Sequence, residues 1–455
     1  MNPKTGKDPA LGTAPIGRLF WRLALPAIAA QLVNVLYNIV DRVYIGHLPR
    51  IGAAALTGVG VTLPAIMIIS AFAALVSAGG APRVSMLMGK GDPDAAERII
   101  GTCAFTLCAI SLVLTLIMQL FAAPILRIFG ASDATLPYAL EYISLYSLGT
   151  VFVQLSLELN AFNTAQGFST TIMLTVTIGA ALNIVLDPLF IFVLNLGVRG
   201  AALATILSQG VSCVWVVSFL CSKKSTIRIR RENLRVRKAV VLPCIALGAA
   251  PFIMQSSESV ISVCFNSSLL RYGGDVAVGA MTILTSVMQF AMLPLQGLAQ
   301  GAQPITSFNF GARNVGRVKQ TFRLLLTVSL IYSVSLWALI QLFPQAFASL
   351  FTADAALLAF SAKALRIYCG ALFIFGIQLA CQMTFVAIGY AKSSILVAVM
   401  RKFVLLLPLI YLMPHLVSNQ VMGVYLAEPV ADFLAVMFTA FLFRSQFKKA
   451  IASME

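Results

Sequence analysis

The chain has 455 residues, 59% of them hydrophobic and only 11% charged, with a formal net charge of +16. That much apolar surface excludes an ordinary water-soluble domain and suits a chain dissolved in lipid. The excess positive charge does not indicate nucleic acid, because it is gathered into the polar segments between apolar runs.

Apolar runs of about 20 residues or more recur along the whole length, each long enough to cross a bilayer. They predict an all-α polytopic membrane protein with twelve spans. Span one (19–45) contains Pro26 and then Asn34, Tyr37, Asn38 and Asp41, which share an arc of about 100° on one helix face. It is followed by continuous membrane protein and lacks a small-residue cleavage site, so no removable signal peptide is expected. Spans two (53–81) and three (98–121) are nearly uniformly apolar. Span four (136–163) carries Asn160, with Glu158 projecting roughly opposite and Glu141 near one end. Span five (170–194) holds "NIVLDP", in which Asn183 and Asp187 are four residues apart and share a face. Pro188 lacks an N–H and would leave the carbonyl of Ile184 without its helical partner. Span six (200–221) adds Thr205. After the run "KKSTIRIRRENLRVRK" (223–238), span seven (240–268) places Gln255, Glu258 and Ser262 on one face. Spans eight (275–303), nine (320–343), ten (356–386), eleven (395–416) and twelve (421–443) complete the chain.

With twelve crossings, the basic run falls on the same side as Lys4, Lys7, Arg18, Arg22, Lys90, Arg98, Arg313, Arg317, Lys319, Arg444, Lys448 and Lys449. The opposite loops hold few cations, among them Arg50, Arg127, Arg199 and Arg271. This asymmetry places both termini in the cytoplasm, with the basic run as a topology signal near anionic lipid. The eight cysteines lie in or at the ends of apolar spans without metal-ligand spacing, and are expected to be packing residues.

A shift of 222 positions lays the first half on the second. Pro82 falls on Pro304, Gly89 on Gly311, Phe129 on Phe351 and Gly167 on Gly389. "GAPRVSMLMG" (80–89) then lies beside "AQPITSFNFG" (302–311). Six spans per half preserve orientation, so the repeats are parallel, an architecture common among transporters. The expected units are 1–221, a linker at 222–239, and 240–455.

A charge at mid-bilayer costs roughly 2.5–3.5 kcal/mol on insertion scales and so marks a functional candidate. In the first half, Asp41 and Asp187 supply carboxylates, and Asn160, Asn183 and Thr205 supply neutral oxygens. The Ile184 carbonyl adds one more. Such a set suits a proton or Na⁺, the latter at Asp41, Asn183, Asp187 and Thr205. Repulsion between two carboxylates in a poorly solvated pocket is relieved by taking up a proton, which favours proton coupling. A salt bridge from Asp41 to adjacent Arg42 is awkward, since successive helical residues point about 100° apart. The second half lacks the set. Gln382 stands opposite Asn160, "LLLPLI" (405–410) opposite the Asn183–Asp187 stretch, and Asn266 nearest Asp41 once a three-residue gap is allowed. Coupling is therefore expected in the N-terminal half only. Asn34, Tyr37, Gln255 and Glu258 are the substrate-binding candidates, Glu258 serving either to attract a cation or as an interhelical group. Pro26 and Pro188 are the helix-bending candidates. No phosphate-binding loop, HExxH or nucleophile elbow occurs, so neither ATP hydrolysis nor enzymatic chemistry within this chain is expected. No cofactor beyond the coupling ion, no ATPase partner and no nucleic acid are expected.

Four stretches carry a resemblance: "NVLYNIVDRVYIGHL" (34–48), "LNAFNTAQG" (159–167), "NIVLDPLFIFVLNLGVRGAALAT" (183–205) and "QGAQPITSFNFGARN" (300–314). They resemble the multidrug and toxic compound extrusion (MATE) family, its bacterial branch and the MepA-like group within it, over essentially the whole chain. The resemblance implies two six-helix lobes in a V and export of organic cations in exchange for protons or Na⁺ across the bacterial inner membrane. It maps the family's N-lobe cation site onto Asp41, Asn160, Asn183, Asp187 and Thr205, with Tyr37 beside it. Glu258 matches a span-seven acid that some members use, but its span-ten companion is here Ile377 or Gln378. The alternative is a lipid-linked oligosaccharide flippase of the same wider superfamily. That function needs cavity Arg or Lys to hold pyrophosphate, whereas the intramembrane arginine noted here, Arg42, lies near the outer end of span one.

Overall fold

The computed structural model describes residues 10–48, 52–352 and 354–455; Lys4, Lys7 and Arg50 lie outside them. Among the described residues the regular structure is entirely helical. Among the described residues nine helices are long and apolar enough to cross a membrane, and two further spans are bent helix pairs. The 74-residue helix Lys238–Gly311 is broken at Gly274, whose φ of 63° is left-handed. It therefore counts as spans seven and eight, which makes twelve spans among the described residues. Large apolar side chains point outward, such as Leu112, Leu116 and Leu120 at 59–66% exposure, a surface that only lipid tolerates.

In the first half the spans are Ile16–Gly46, Gly52–Lys90, Pro93–Ile128, the pair Leu136–Leu148 and Thr150–Ala165, Ser169–Pro188, and Gly197–Cys221. Spans nine to twelve are Val315–Leu342, the pair Ala355–Tyr368 and Leu372–Ala387, Ala391–Leu416, and Gln420–Ala452. Side chains cap the starts of spans three and nine in the same way. Asp92 accepts from the Ala95 N–H and Asn314, at the equivalent place, from the Arg317 N–H. One expectation needs correction. Spans four and ten are not single helices: they bend by 59° and 49°. At Gly149 the bend brings backbone against Ile206, where a Cβ would collide. The spans that hold Pro26 and Pro188 are both continuous. Pro26 lies within an unbroken helix, and span five runs through Pro188 into a π-helical turn, Leu189–Val193.

The duplication extends to individual bonds. The Ser85 hydroxyl donates to the Ala165 carbonyl at 2.6 Å, and Ser307 donates to Ala387 at 2.7 Å, each partner displaced by 222. A Cβ on Gly89 would strike the Phe308 carbonyl, and one on Gly311 would strike the Met86 carbonyl, so spans two and eight meet backbone to backbone as mates. The halves thus touch tightly at the end that carries the linker. Leu11, buried there, has its carbonyl held by Asn309 and Arg317 at 2.9 and 3.0 Å. The linker folds back on the first half: Gln166 accepts from Ser225 and the Ile227 N–H, and Arg230 pairs with Glu97 at 2.5 Å.

Candidate functional site

Spans one and five run in the same direction and pack along each other, while spans four and six run against them. Their polar residues form two layers one helical turn apart, about 5.4 Å. The inner layer surrounds a cavity of about 10 Å³ lined by Asn34, Tyr37, Ser156, Asn160, Thr175, Gln209 and Ser212, among others. That is close to the minimum for a single water. Asn160 is fully engaged there. Its amide donates to the Ser156 carbonyl at 2.9 Å, and its oxygen accepts from Asn163 at 3.3 Å and Thr175 at 3.4 Å. Asn34 is tied through its carbonyl to the exposed Asn38 at 2.6 Å.

The outer layer holds Asp41, Asn183, Asp187 and Thr205. Asn183 donates to Asp187 at 3.2 Å, and Asp41 lies within electrostatic reach of Asp187. Tyr37, one turn below Asp41, senses both carboxylates and neighbours Gln209. Tyr142 sits beside Thr205 within the field of Asp41. All four outer residues are buried, at 0–9% exposure. Yet Oδ1 of Asp41, Oδ1 of Asn183 and Oδ2 of Asp187 accept no hydrogen bond, and among the described residues no ion pair joins Asp41 to the exposed Arg42. Buried acceptors without donors are costly, and three in one layer make a place that a proton or cation would relieve. Glu158 faces away, accepting the Ser77 hydroxyl of span two.

Ser156, Thr175, Gln209 and Ser212 were not among the sequence candidates. Their signal was available: Ser156 is four before Asn160, and Gln209 is four after Thr205, each extending a polar stripe by one turn.

The second half holds a buried ion-pair network in which Glu258 was a sequence candidate but its cationic partners were not. Arg42 is not the only intramembrane arginine. Arg401 and Lys402, on the π-helical turn Met400–Leu406 of span eleven, are 8% and 3% exposed. Arg401 pairs with Asp432 at 2.6 Å and Glu428 at 3.1 Å on span twelve, and its guanidinium lies 4.9 Å from the Phe375 ring centroid. Lys402 pairs with Glu258 at 2.6 Å. The Glu258 carboxylate is therefore committed to an internal cation, although more than half of its side chain is open. Gln255, one turn earlier on span seven, is half-buried.

A family model described as MatE matches residues 26–189 and 250–412, one stretch in each half and together most of the chain. The chain belongs to the MatE family. The multidrug export protein MepA of Staphylococcus haemolyticus (strain JCSC1435) is 25% identical over 434 residues, covering 95% of this chain and 94% of that protein. MepA of Staphylococcus aureus (strain NCTC 8325 / PS 47) is 24% identical over 436 residues, with 95% of each chain covered. A solved MATE structure in the bent conformation superposes with a TM-score of 0.92 at 23% identity, over 99% of this chain and 100% of that one. As a MatE protein, the chain is a multi-pass membrane transporter and not an enzyme, and the two matched stretches correspond to its repeated halves.

Proposed function

We propose that this MatE protein exports amphiphilic, mainly cationic organic compounds across the bacterial inner membrane in exchange for a coupling ion. Both termini are then cytoplasmic, residues 1–221 hold the ion site, and 240–455 form the second lobe beyond the linker at 222–239. The relatives' names, multidrug export protein, support the substrate class.

The observation that carries the coupling mechanism is the set of buried, donorless oxygens on Asp41, Asn183 and Asp187. A cation arriving there cancels the repulsion between the carboxylates and satisfies the orphan acceptors. Thr205 can add its hydroxyl oxygen, since its proton is already given to the Ala201 carbonyl at 3.0 Å. Span one bears Asp41 on this layer and packs at its other end against span eight. Drawing Asp41 towards Asp187 therefore changes how span one bridges the two halves. Because the cavity below holds about 10 Å³, an organic substrate reaches Asn34 and Tyr37 only when span one separates from spans five and six. With the linker end in the cytoplasm, the tight contact of the halves there fits a state closed to the inside.

The flippase alternative gains nothing from Arg401 and Lys402, since both are already paired with carboxylates and neither is free for pyrophosphate. Protons are the favoured ion. Transport of a fluorescent cation in proteoliposomes with a pH gradient and a Na⁺ gradient imposed separately tests this. A pH gradient alone should drive export at nominally zero Na⁺. Transport that ignores pH and requires Na⁺ would assign the site to Na⁺.

A further inference from the structure

The linker meets span three where the acid is already used and three arginines are left over. Asn233, buried at the end of the turn Arg231–Asn233, lies so close to Gly101 that a Cβ on that glycine would come within 2.6 Å of its own. Arg98 is one turn before Gly101 on the same side of the helix. Arg237 donates to the Asn233 Oδ1 at 3.3 Å and lies within electrostatic reach of both Arg235 and Arg98. Glu97 is buried and committed elsewhere, to Arg230 and the Arg228 N–H. Among the described residues, Arg98, Arg235 and Arg237 form ion pairs with no carboxylate, Asp94 and Glu232 included. Apolar surface adjoins them. Leu234 and Val236 alternate with Arg235 and Arg237 and are 39% and 52% exposed. Phe105 and Leu112 continue from Arg98 along the same face of span three, at 42% and 66% exposure.

We propose that Arg98, Arg235 and Arg237 form a binding site for the headgroup phosphate of an anionic phospholipid. Guanidinium groups gathered without an acid repel one another, and an anion between them turns that repulsion into attraction. The planar guanidinium fork matches phosphate oxygens and can bind two at once. The apolar neighbours name the source. A phosphate arriving alone would leave Leu234 and Val236 facing water, whereas a lipid brings chains that cover them and run on over Phe105 and Leu112. The depth agrees, because Arg98 and Arg237 stand near the starts of spans three and seven, where headgroups lie. Sidedness of the basic run requires only an excess of positive charge, but this site requires these three residues. It is independent of the export function, since it shares no residue with the Asp41–Asp187 layer or with the second-half ion pairs. A held headgroup fastens the linker to span three at the junction of the halves.

Native mass spectrometry of the full-length protein in a neutral detergent tests this, with phosphatidylglycerol, phosphatidylcholine and inorganic phosphate as probes. Phosphatidylglycerol should bind at least about tenfold tighter than phosphatidylcholine. Arg98→Gln, Arg235→Gln and Arg237→Gln together should remove that preference. A control that deletes three exposed cations elsewhere on the same side, Lys319→Gln with Lys448→Gln and Lys449→Gln, should keep it. If the arginine variant fails to fold, Arg235→Gln alone, at an exposed position, should still weaken phosphatidylglycerol about fivefold. Leu234→Ser with Val236→Ser should weaken it too, although no charge is lost. An unchanged preference in the arginine variants, or an equal loss in the lysine control, would overturn the proposal. Displacement of the lipid by millimolar inorganic phosphate would overturn it as well, by showing a site for a free anion.

Discussion

Replacing Arg401 with Met should destabilise the protein by about 3–5 kcal/mol, the usual result of removing one partner from a buried ion pair. Arg401 is the shared cation of Glu428 and Asp432, at 3.1 and 2.6 Å, with both carboxylates at least nine-tenths buried. The two acids are four residues apart on span twelve and face the same way, so their repulsion is uncovered as soon as the guanidinium leaves. Loss of the Phe375 contact at 4.9 Å adds about 0.5–2 kcal/mol, while Met retains most of the aliphatic packing. Uptake of a proton by one acid limits the total, which keeps the expected loss within the range given. Equilibrium unfolding in mixed detergent micelles reads it directly. Arg401→Met combined with Glu428→Gln and Asp432→Asn should recover most of the loss, because no charge is then left unpaired. If the single variant matches the unaltered protein, or the triple variant is as unstable as the single one, the charge argument is wrong.

Ser85→Ala and Ser307→Ala should each cost about 1 kcal/mol, the typical worth of one hydrogen bond, and the two losses should agree within error; a clear difference in the same unfolding assay would show that the duplicated bonds are not energetic equivalents. Gly311→Leu places a side chain against the Met86 backbone, so spin labels on spans two and eight should report wider separation near the linker, and an unchanged distance would mean this contact does not hold the halves together.

Much of the fold was legible because lipid imposes a simple rule. A run of about 20 apolar residues has few alternatives to a spanning helix, and Gly and Pro mark the repeat. The bends in spans four and ten were not legible, because the apolar pattern continues through Gly149 and Gly370 while tertiary contact alone decides the angle. Between the expected spans 240–268 and 275–303, a single residue of positive φ, Gly274, joins two helices directly. Of the candidate site, Asn183–Asp187 was readable from spacing alone, since both ends of that contact lie on one helix. Lys402 and Glu258 are 144 positions apart and pair only through the fold. A charge count would have helped: Glu428 and Asp432, one turn apart on span twelve, require a cation at the same depth, and span eleven carries Arg401 and Lys402.

The central claim is that Asp41 and Asp187 couple ion movement to export. Ion-driven efflux of a fluorescent cation from proteoliposomes, measured for the unaltered protein, Asp41→Asn and Asp187→Asn at equal protein content, tests it most directly. An imposed gradient should accelerate efflux by the unaltered protein and have no effect on either variant, although both insert into the membrane normally. Gradient-driven efflux at the unaltered rate in both variants would contradict it.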